Sequence, residues 1–154
     1  MGKVIEKDKV EDLISILKKQ NKKIVATNGC FDILHVGHVR YLKKSKSFGD
    51  VLILGLNSDK SVRELKGEGR PINNENDRAE VLCALECVDY VVLFDEKSPK
   101  DLLAQIKPNV YTKGADYTLK TLPEADVILK NGGWVEFIDF VEGKSTTKII
   151  DKIK

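Results

Sequence analysis

The chain has 154 residues, 42% of them hydrophobic, and its 26 basic and 24 acidic side chains leave a formal charge of +2. This suffices for a single unit over residues 1–154 with one buried core, and the near balance of charge excludes a whole-surface field that would gather nucleic acid or membrane. Met1 to Gln20 is charged throughout and no apolar run nears the roughly 20 residues that span a bilayer, so the expectation is a cytoplasmic protein with neither nucleic-acid nor membrane partners.

In chain order, Lys7 to Lys19 is amphipathic and is expected to form a helix within an amino-terminal segment, residues 1–20, that covers the core. Lys23 to Thr27 reads as a buried strand and His38 to Ser47 as a helix. Val51 to Leu56 is the next strand. The polar stretch Lys66 to Asn76, with two glycines and a proline, reads as a long loop. Asn76 to Glu86 is expected to be helical and leads into a strand at Tyr90 to Phe94. Ser98 and Pro99 read as an N-cap and first helical position, opening a helix that ends before Pro108. Val110 to Thr112 and Trp134 to Ile138 supply two more strands, with Trp134 expected in the core. Ser145 to Ile153 forms a last helix. Strands separated by helices of about ten residues predict an α/β fold with a central parallel sheet between two helical layers, and hence a site at the carboxyl ends of the strands.

Cys30, Cys83 and Cys87 form no Cys-x-x-Cys pair and no short Cys/His spacing, so neither a disulfide framework nor a protein metal site is expected. Cys83 and Cys87, four apart on a predicted helix, read as small core residues on one face.

The chemistry concentrates in Thr27-Asn28-Gly29-Cys30-Phe31-Asp32-Ile33-Leu34-His35-Val36-Gly37-His38, between the first of these strands and the next helix. His35 and His38 are the only histidines in the chain. At a helix start, with Gly37 between them, they can aim two imidazoles and several free backbone N–H groups at one anion. A helix cap or a solvated pair is the plainer reading, and the strand-to-helix placement favours the site. Ser145 and Thr146 place hydroxyls and unpaired N–H groups at another helix N-terminus, where phosphate is favoured; Ser145 can also simply cap it. Gly143-Lys144-Ser145-Thr146 imitates the tail of a P-loop, but Ile138 stands where the leading glycine is required.

His35-Val36-Gly37-His38, its Gly29-Cys30-Phe31-Asp32 lead-in and the Ser145-Thr146-Thr147-Lys148-Ile149 run resemble the signatures of the cytidylyltransferase-like nucleotidyltransferases. The resemblance implies a Rossmann-like three-layer sandwich of the His-x-Gly-His type. Within the family, Lys66-Gly67, Arg70 to Asn73, Lys113 to Tyr117, Asn131 to Gly133 and Phe140 to Gly143 resemble the adenylyltransferase domains of ADP-heptose synthases more than the glycerol-3-phosphate cytidylyltransferases. The implied reaction joins AMP from ATP to a sugar 1-phosphate, with Mg2+ bound mainly through the ATP phosphates. The implied catalytic residues are His35, His38 and Lys46. Nucleotide contacts would come from Asn28, Gly29, Cys30, Phe31, Gly37, Lys113, Gly114, Asp116, Ser145, Thr146 and Thr147. Asp32, Arg70 and Arg78 are candidates toward the substrate phosphate, Asp32 alternatively fixing its loop. A homodimer is a further implied option, although no apolar stripe marks an interface. A nucleotide-sensing domain is the non-enzyme alternative, and the ADP-heptose synthases' sugar kinase has no counterpart in these residues.

Overall fold

Val51 to Asn57 is apolar at every position but its last and buried at all seven, as a strand covered on both faces must be. It lies near the centre of a six-stranded sheet. The computed structural model describes residues 1–154. Its elements are β1 (Lys3–Val4), α1 (Val10–Lys19), β2 (Ile24–Gly29), α2 (Val36–Lys46), β3 (Val51–Asn57), α3 (Asp59–Lys66), α4 (Glu75–Cys83), β4 (Tyr90–Phe94), α5 (Lys100–Ile106), β5 (Val110–Gly114), α6 (Ala125–Lys130), β6 (Trp134–Ile138) and α7 (Thr146–Ile153). All strands are parallel, in the order β1-β4-β3-β2-β5-β6.

Alternate residues of the four inner strands feed two cores. On one face Ile24, Ala26, Ile53 and Val92 pack with Val10, Ile14 and Leu17 of α1, Leu102, Leu103 and Ile106 of α5, and Ile128 of α6. On the other, Val25, Leu52, Leu54 and Val91 pack with Leu42 of α2 and Ala79, Leu82 and Cys83 of α4. The result is a three-layer α/β/α sandwich. Apolar burial holds α2 only weakly, since Leu42 and Ser45 alone are buried there. Hydroxyls complete the attachment: Tyr41 Oη lies 2.8 Å from Thr27 Oγ1, and Ser45 Oγ lies 2.8 Å from Thr112 Oγ1, joining α2 to β2 and β5.

The chain steps from β2 through β3 to β4 on one side, then returns to lay β5 and β6 on the other. The carboxyl ends of β2 and β5 therefore form the topological switch point, where parallel sheets open a crevice.

Several local expectations are corrected. The stretch before the glycine-rich loop contains α3, whose polar sequence hides its helicity; Ser58 caps it by accepting from Ser61 N. The short β1 and α6 also escape the periodicity reading. Helix α4 ends at Cys83, so Cys87 is not on it, and burial raises the pKa of both thiols. Trp134 lies in its predicted strand but is 55% exposed, because β6 is an edge strand and the inward position belongs to Val135. Pro99 rather than Ser98 occupies the cap of α5, with Ser98 Oγ still accepting from Lys100 N.

Candidate active site

At the start of α2 the backbone uses both histidines. Gly37 N donates to His35 Nδ1 at 3.1 Å and His35 N donates to His38 Nδ1 at 3.3 Å, a reciprocal capping box made of two imidazoles. The rings stack with centroids 3.9 Å apart. A side chain at position 37 would place its Cβ 2.8 Å from His35 Cε1, so only glycine leaves that ring in place. Each Nδ1 accepts a backbone N–H, so in a neutral ring the proton sits on Nε2. Neutrality is itself favoured. Burial, then the neighbouring His35, lowers the His38 pKa to about 4, and burial followed by the nearby Lys144 lowers that of His35. Both histidines are thus neutral Nε2–H donors at physiological pH.

The preceding loop carries backbone strain. Phe31 and Ile33 have φ of 47° and 50°, a left-handed conformation costing on the order of 1–3 kcal/mol for such residues. Asp32, 2% exposed, anchors the loop: its carboxylate accepts from Ile72 N at 2.6 Å and Asn73 N at 3.0 Å, while its carbonyl accepts from Thr146 Oγ1 at 2.6 Å. Its substrate-phosphate assignment is therefore corrected to loop fixation, since an already engaged carboxylate would also repel a phosphate.

The crevice at the switch point is a cleft of about 890 Å³. His35, His38, Asn28, Gly29, Cys30, Phe31, Asp32 and Gly37 line it from the β2–α2 side, and Lys113, Gly114 and Asp116 from the end of β5. Ser145, Thr146 and Thr147 line it from the start of α7, and Arg70 from the loop before α4. Ser145 Oγ accepts from Lys148 N at 3.1 Å, capping α7, and the Thr146 hydroxyl is spent on Asp32. What α7 offers a ligand is its first-turn backbone N–H groups. Arg70 Nε is buried without a hydrogen-bond partner, 3.7 Å from Asp32 Oδ2. Burial raises the pKa of the Cys30 thiol, with Lys66, Arg78 and Arg70 opposing the shift.

Two residues assigned from sequence are elsewhere. Arg78 is 2% exposed and spends four of its five N–H donors on the fold: Nε donates to Asn73 O, Nη1 to Cys30 O and Asn57 O, and Nη2 to Asp59 Oδ1, all at 2.8–2.9 Å. It ties the carboxyl ends of β2 and β3 together beneath the cleft and is not among the residues that line it. Lys46 lies eight residues beyond His38 on α2, about 12 Å along the axis at 1.5 Å per residue. Its ammonium pairs with Asp89 Oδ2 at 2.5 Å, an atom that also accepts from Leu52 N at the amino-terminal end of β3. Lys46 is therefore at the wrong end of the sheet for catalysis. Lys46→Ala should leave kcat and both KM values within about twofold and lower stability by no more than about 1 kcal/mol, the worth of a partly exposed pair; steady-state kinetics and a urea melt check this.

The cleft instead brings in Lys66, from the end of α3, and Lys144, just before α7. Lys66 stands in a segment noted for its resemblance but read as loop, and Lys144 belongs to the run set aside as a false P-loop. Glu124, just before α6, also faces the cleft and carried no sequence signal. At the far side Lys113 Nζ lies 3.8 Å from Glu124 Oε2 and 5.2 Å from the Tyr117 ring centre. Burial lowers the Lys113 pKa, and Glu124 and Asp116 oppose the shift. Gly114 runs against Phe140 and Asp116, so closely that an added Cβ would sit 2.6 Å from Phe140 Cζ.

A parallel sheet whose switch-point crevice holds paired helix-start imidazoles, a second helix N-terminus and unpaired cations is the framework of a nucleotidyltransferase. The chain belongs to the Cytidylyltransferase-like family, whose profile matches residues 26–152. It is 56% identical over 152 residues to the bifunctional protein HldE of Geobacter metallireducens, covering 99% of this chain and 31% of that protein. It is also 56% identical over 144 residues to HldE of Campylobacter jejuni subsp. jejuni, covering 94% and 30%. The chain thus spans about a third of the length of these curated relatives. The crystal structure of the lipopolysaccharide core biosynthesis protein from Thermoplasma volcanium is similar, with a TM-score of 0.64 and 32% identity over 80% of this chain and 99% of that one. Pantoate-beta-alanine ligase from Francisella tularensis shares the fold, with a TM-score of 0.68 at 17% identity over 99% and 78% of the two chains.

Proposed function

We propose that this chain transfers AMP from ATP to D-glycero-β-D-manno-heptose 1-phosphate, giving ADP-heptose and pyrophosphate. The observation that carries the reading is the pair of imidazoles whose Nδ1 atoms are bound to backbone, leaving two neutral Nε2–H donors at the switch point. A sugar-phosphate oxygen attacks the α-phosphorus, the bond to the β-phosphate oxygen breaks, and pyrophosphate leaves with that electron pair. The attacking phosphate is already an anion, so the protein supplies neither nucleophile nor base. It aligns two anions and stabilises charge on the nonbridging and leaving oxygens.

His35 and His38 donate to the α- and β-phosphates, the first turn of α7 holds the outer phosphates, and Arg70, Lys66 and Lys144 offset the remaining charge. The base lies beside the Gly114–Asp116 backbone, where the outer face of Phe140, which is 66% exposed, is free to stack. No cluster of three His, Cys, Asp or Glu residues able to cage a metal stands in the structure. Donors and cations at the phosphate end suit Mg2+ carried on the triphosphate with its waters, where it supplies charge neutralisation. No helix is long and apolar enough to cross a membrane, in keeping with diffusible substrates.

The test is pyrophosphate release with Mg2+ and ATP, CTP or GTP, each against heptose 1-phosphate and glycerol 3-phosphate. Release with ATP and the heptose alone supports the reading. Release with CTP and glycerol phosphate replaces it by the cytidylyl reaction, and silence in every pairing favours a nucleotide-sensing role. Arg70→Ala should raise the KM of one substrate at least about tenfold, the worth of a charge-assisted hydrogen bond to phosphate, with kcat less affected; initial-rate kinetics decides it.

A further inference from the structure

Beneath the cleft, on the α6 side, lies a chain of polar groups that phosphate chemistry does not use. Tyr111, 0% exposed, projects its hydroxyl between Glu124 Oε2, at 2.8 Å, and the side-chain amide of Asn28 at the end of β2. Glu124 is itself 4% exposed and makes no cap bond to α6. Its Oε1 has no protein partner, and both Glu124 and Asn28 line the cleft.

A tyrosine hydroxyl has one proton to give, and a carboxylate only accepts. The structure sets Asn28 Oδ1 against Tyr111 Oη; because the tyrosine's one proton goes to Glu124, the amide is assigned in the opposite sense, with its NH2 on the tyrosine oxygen and its carbonyl oxygen toward the cleft. Burial and the adjacent Glu124 raise the Tyr111 pKa well above its ordinary value, which keeps that proton in place. Two fixed acceptors, Asn28 Oδ1 and Glu124 Oε1, then face the same region beside Lys113. Acceptors repel phosphate oxygens and bind hydroxyl groups. The cleft is divided: histidines, Arg70 and the start of α7 present donors, and this wing presents acceptors.

We propose that the Asn28–Tyr111–Glu124 relay forms the subsite for the hydroxyl groups of the acceptor sugar, with Tyr111 as the positioning residue that holds both acceptors. This rests on the sugar-phosphate reading above and names the side chains that recognise the sugar. A site built to pair hydroxyls leaves buried polar groups unsatisfied when the wrong molecule binds, the strongest form of discrimination a pocket achieves.

The test compares the intact chain with Tyr111→Phe and Glu124→Gln, using ATP, heptose 1-phosphate and inorganic phosphate as a competitive probe of the anion end. Both variants should raise the KM for the sugar phosphate at least about tenfold, with the KM for ATP and the Ki of inorganic phosphate nearly unchanged and circular dichroism confirming that each variant is folded. An unchanged sugar KM in folded variants overturns the proposal. So does an equal rise in the KM for ATP, which would assign the acceptors to the amino group of the base. If the unsubstituted chain forms no nucleotide sugar, the parent reading fails and this one with it; product formation by that chain with unaffected variants sinks the subsite alone.

Discussion

His38→Ala is expected to lower kcat by a factor of about 10² to 10³, the usual cost of removing one preorganised donor to developing charge, while the sheet and both cores stay intact. The rate of pyrophosphate release at saturating substrates measures it, with circular dichroism confirming the fold. His35→Ala should be similarly inactive, because its imidazole both faces the cleft and caps α2 through Gly37 N. The pH behaviour follows from the same geometry. Burial depresses the folded-state pKa of His38 to about 4, below the unfolded value near 6.5. Below pH 6.5 the unfolded chain therefore takes up a proton that the native chain refuses. The stability associated with neutral His38 is complete above pH 6.5 and is lost as pH falls toward 4. With only two histidines in the chain, their ring proton resonances can be followed directly, and the His38 signal should titrate near pH 4.

Arg78→Ala should be the most destabilising single substitution, at about 3–5 kcal/mol. It strips partners from the carbonyls of Cys30, Asn57 and Asn73 and leaves the Asp59 carboxylate unpaired. Arg78→Lys should rescue little, because a single ammonium cannot reach acceptors arranged around a planar fork. Urea unfolding gives the magnitude. A phosphate-binding arginine would behave in the opposite way, with KM rising at unchanged stability.

The parallel sheet, a cleft at the carboxyl ends of its strands and the starts of α2 and α7 that line it were legible in the sequence because each has a local signature. Buried strands are apolar runs, and the two helix starts at the cleft carry His-x-Gly-His and Ser-Thr-Thr. Position along a helix was less legible. Lys46 and Lys66 are both lysines in helical surroundings, and only the direction of α2 relative to the sheet shows that Lys46 points to the wrong end. The role of Arg78 was hidden for a related reason: four acceptors converge on it from Cys30, Asn57, Asp59 and Asn73, and no spacing rule brings those together. Tyr111 and Glu124 each look like ordinary strand and helix residues until α6 lays one across the other.

The hydrogen bond from Thr146 to the Asp32 carbonyl joins residues 114 apart in the chain. Closing so long a loop is slow compared with forming neighbouring parallel βα units. The two cores can therefore consolidate around β2, β3 and β4 before α7 docks, and α7 buries no residue of its own to hasten that docking. During refolding, secondary structure should return ahead of nucleotide affinity. A triphosphate that bridges α2 and α7 would act as the clasp, drawing the slowest segment home and holding it there.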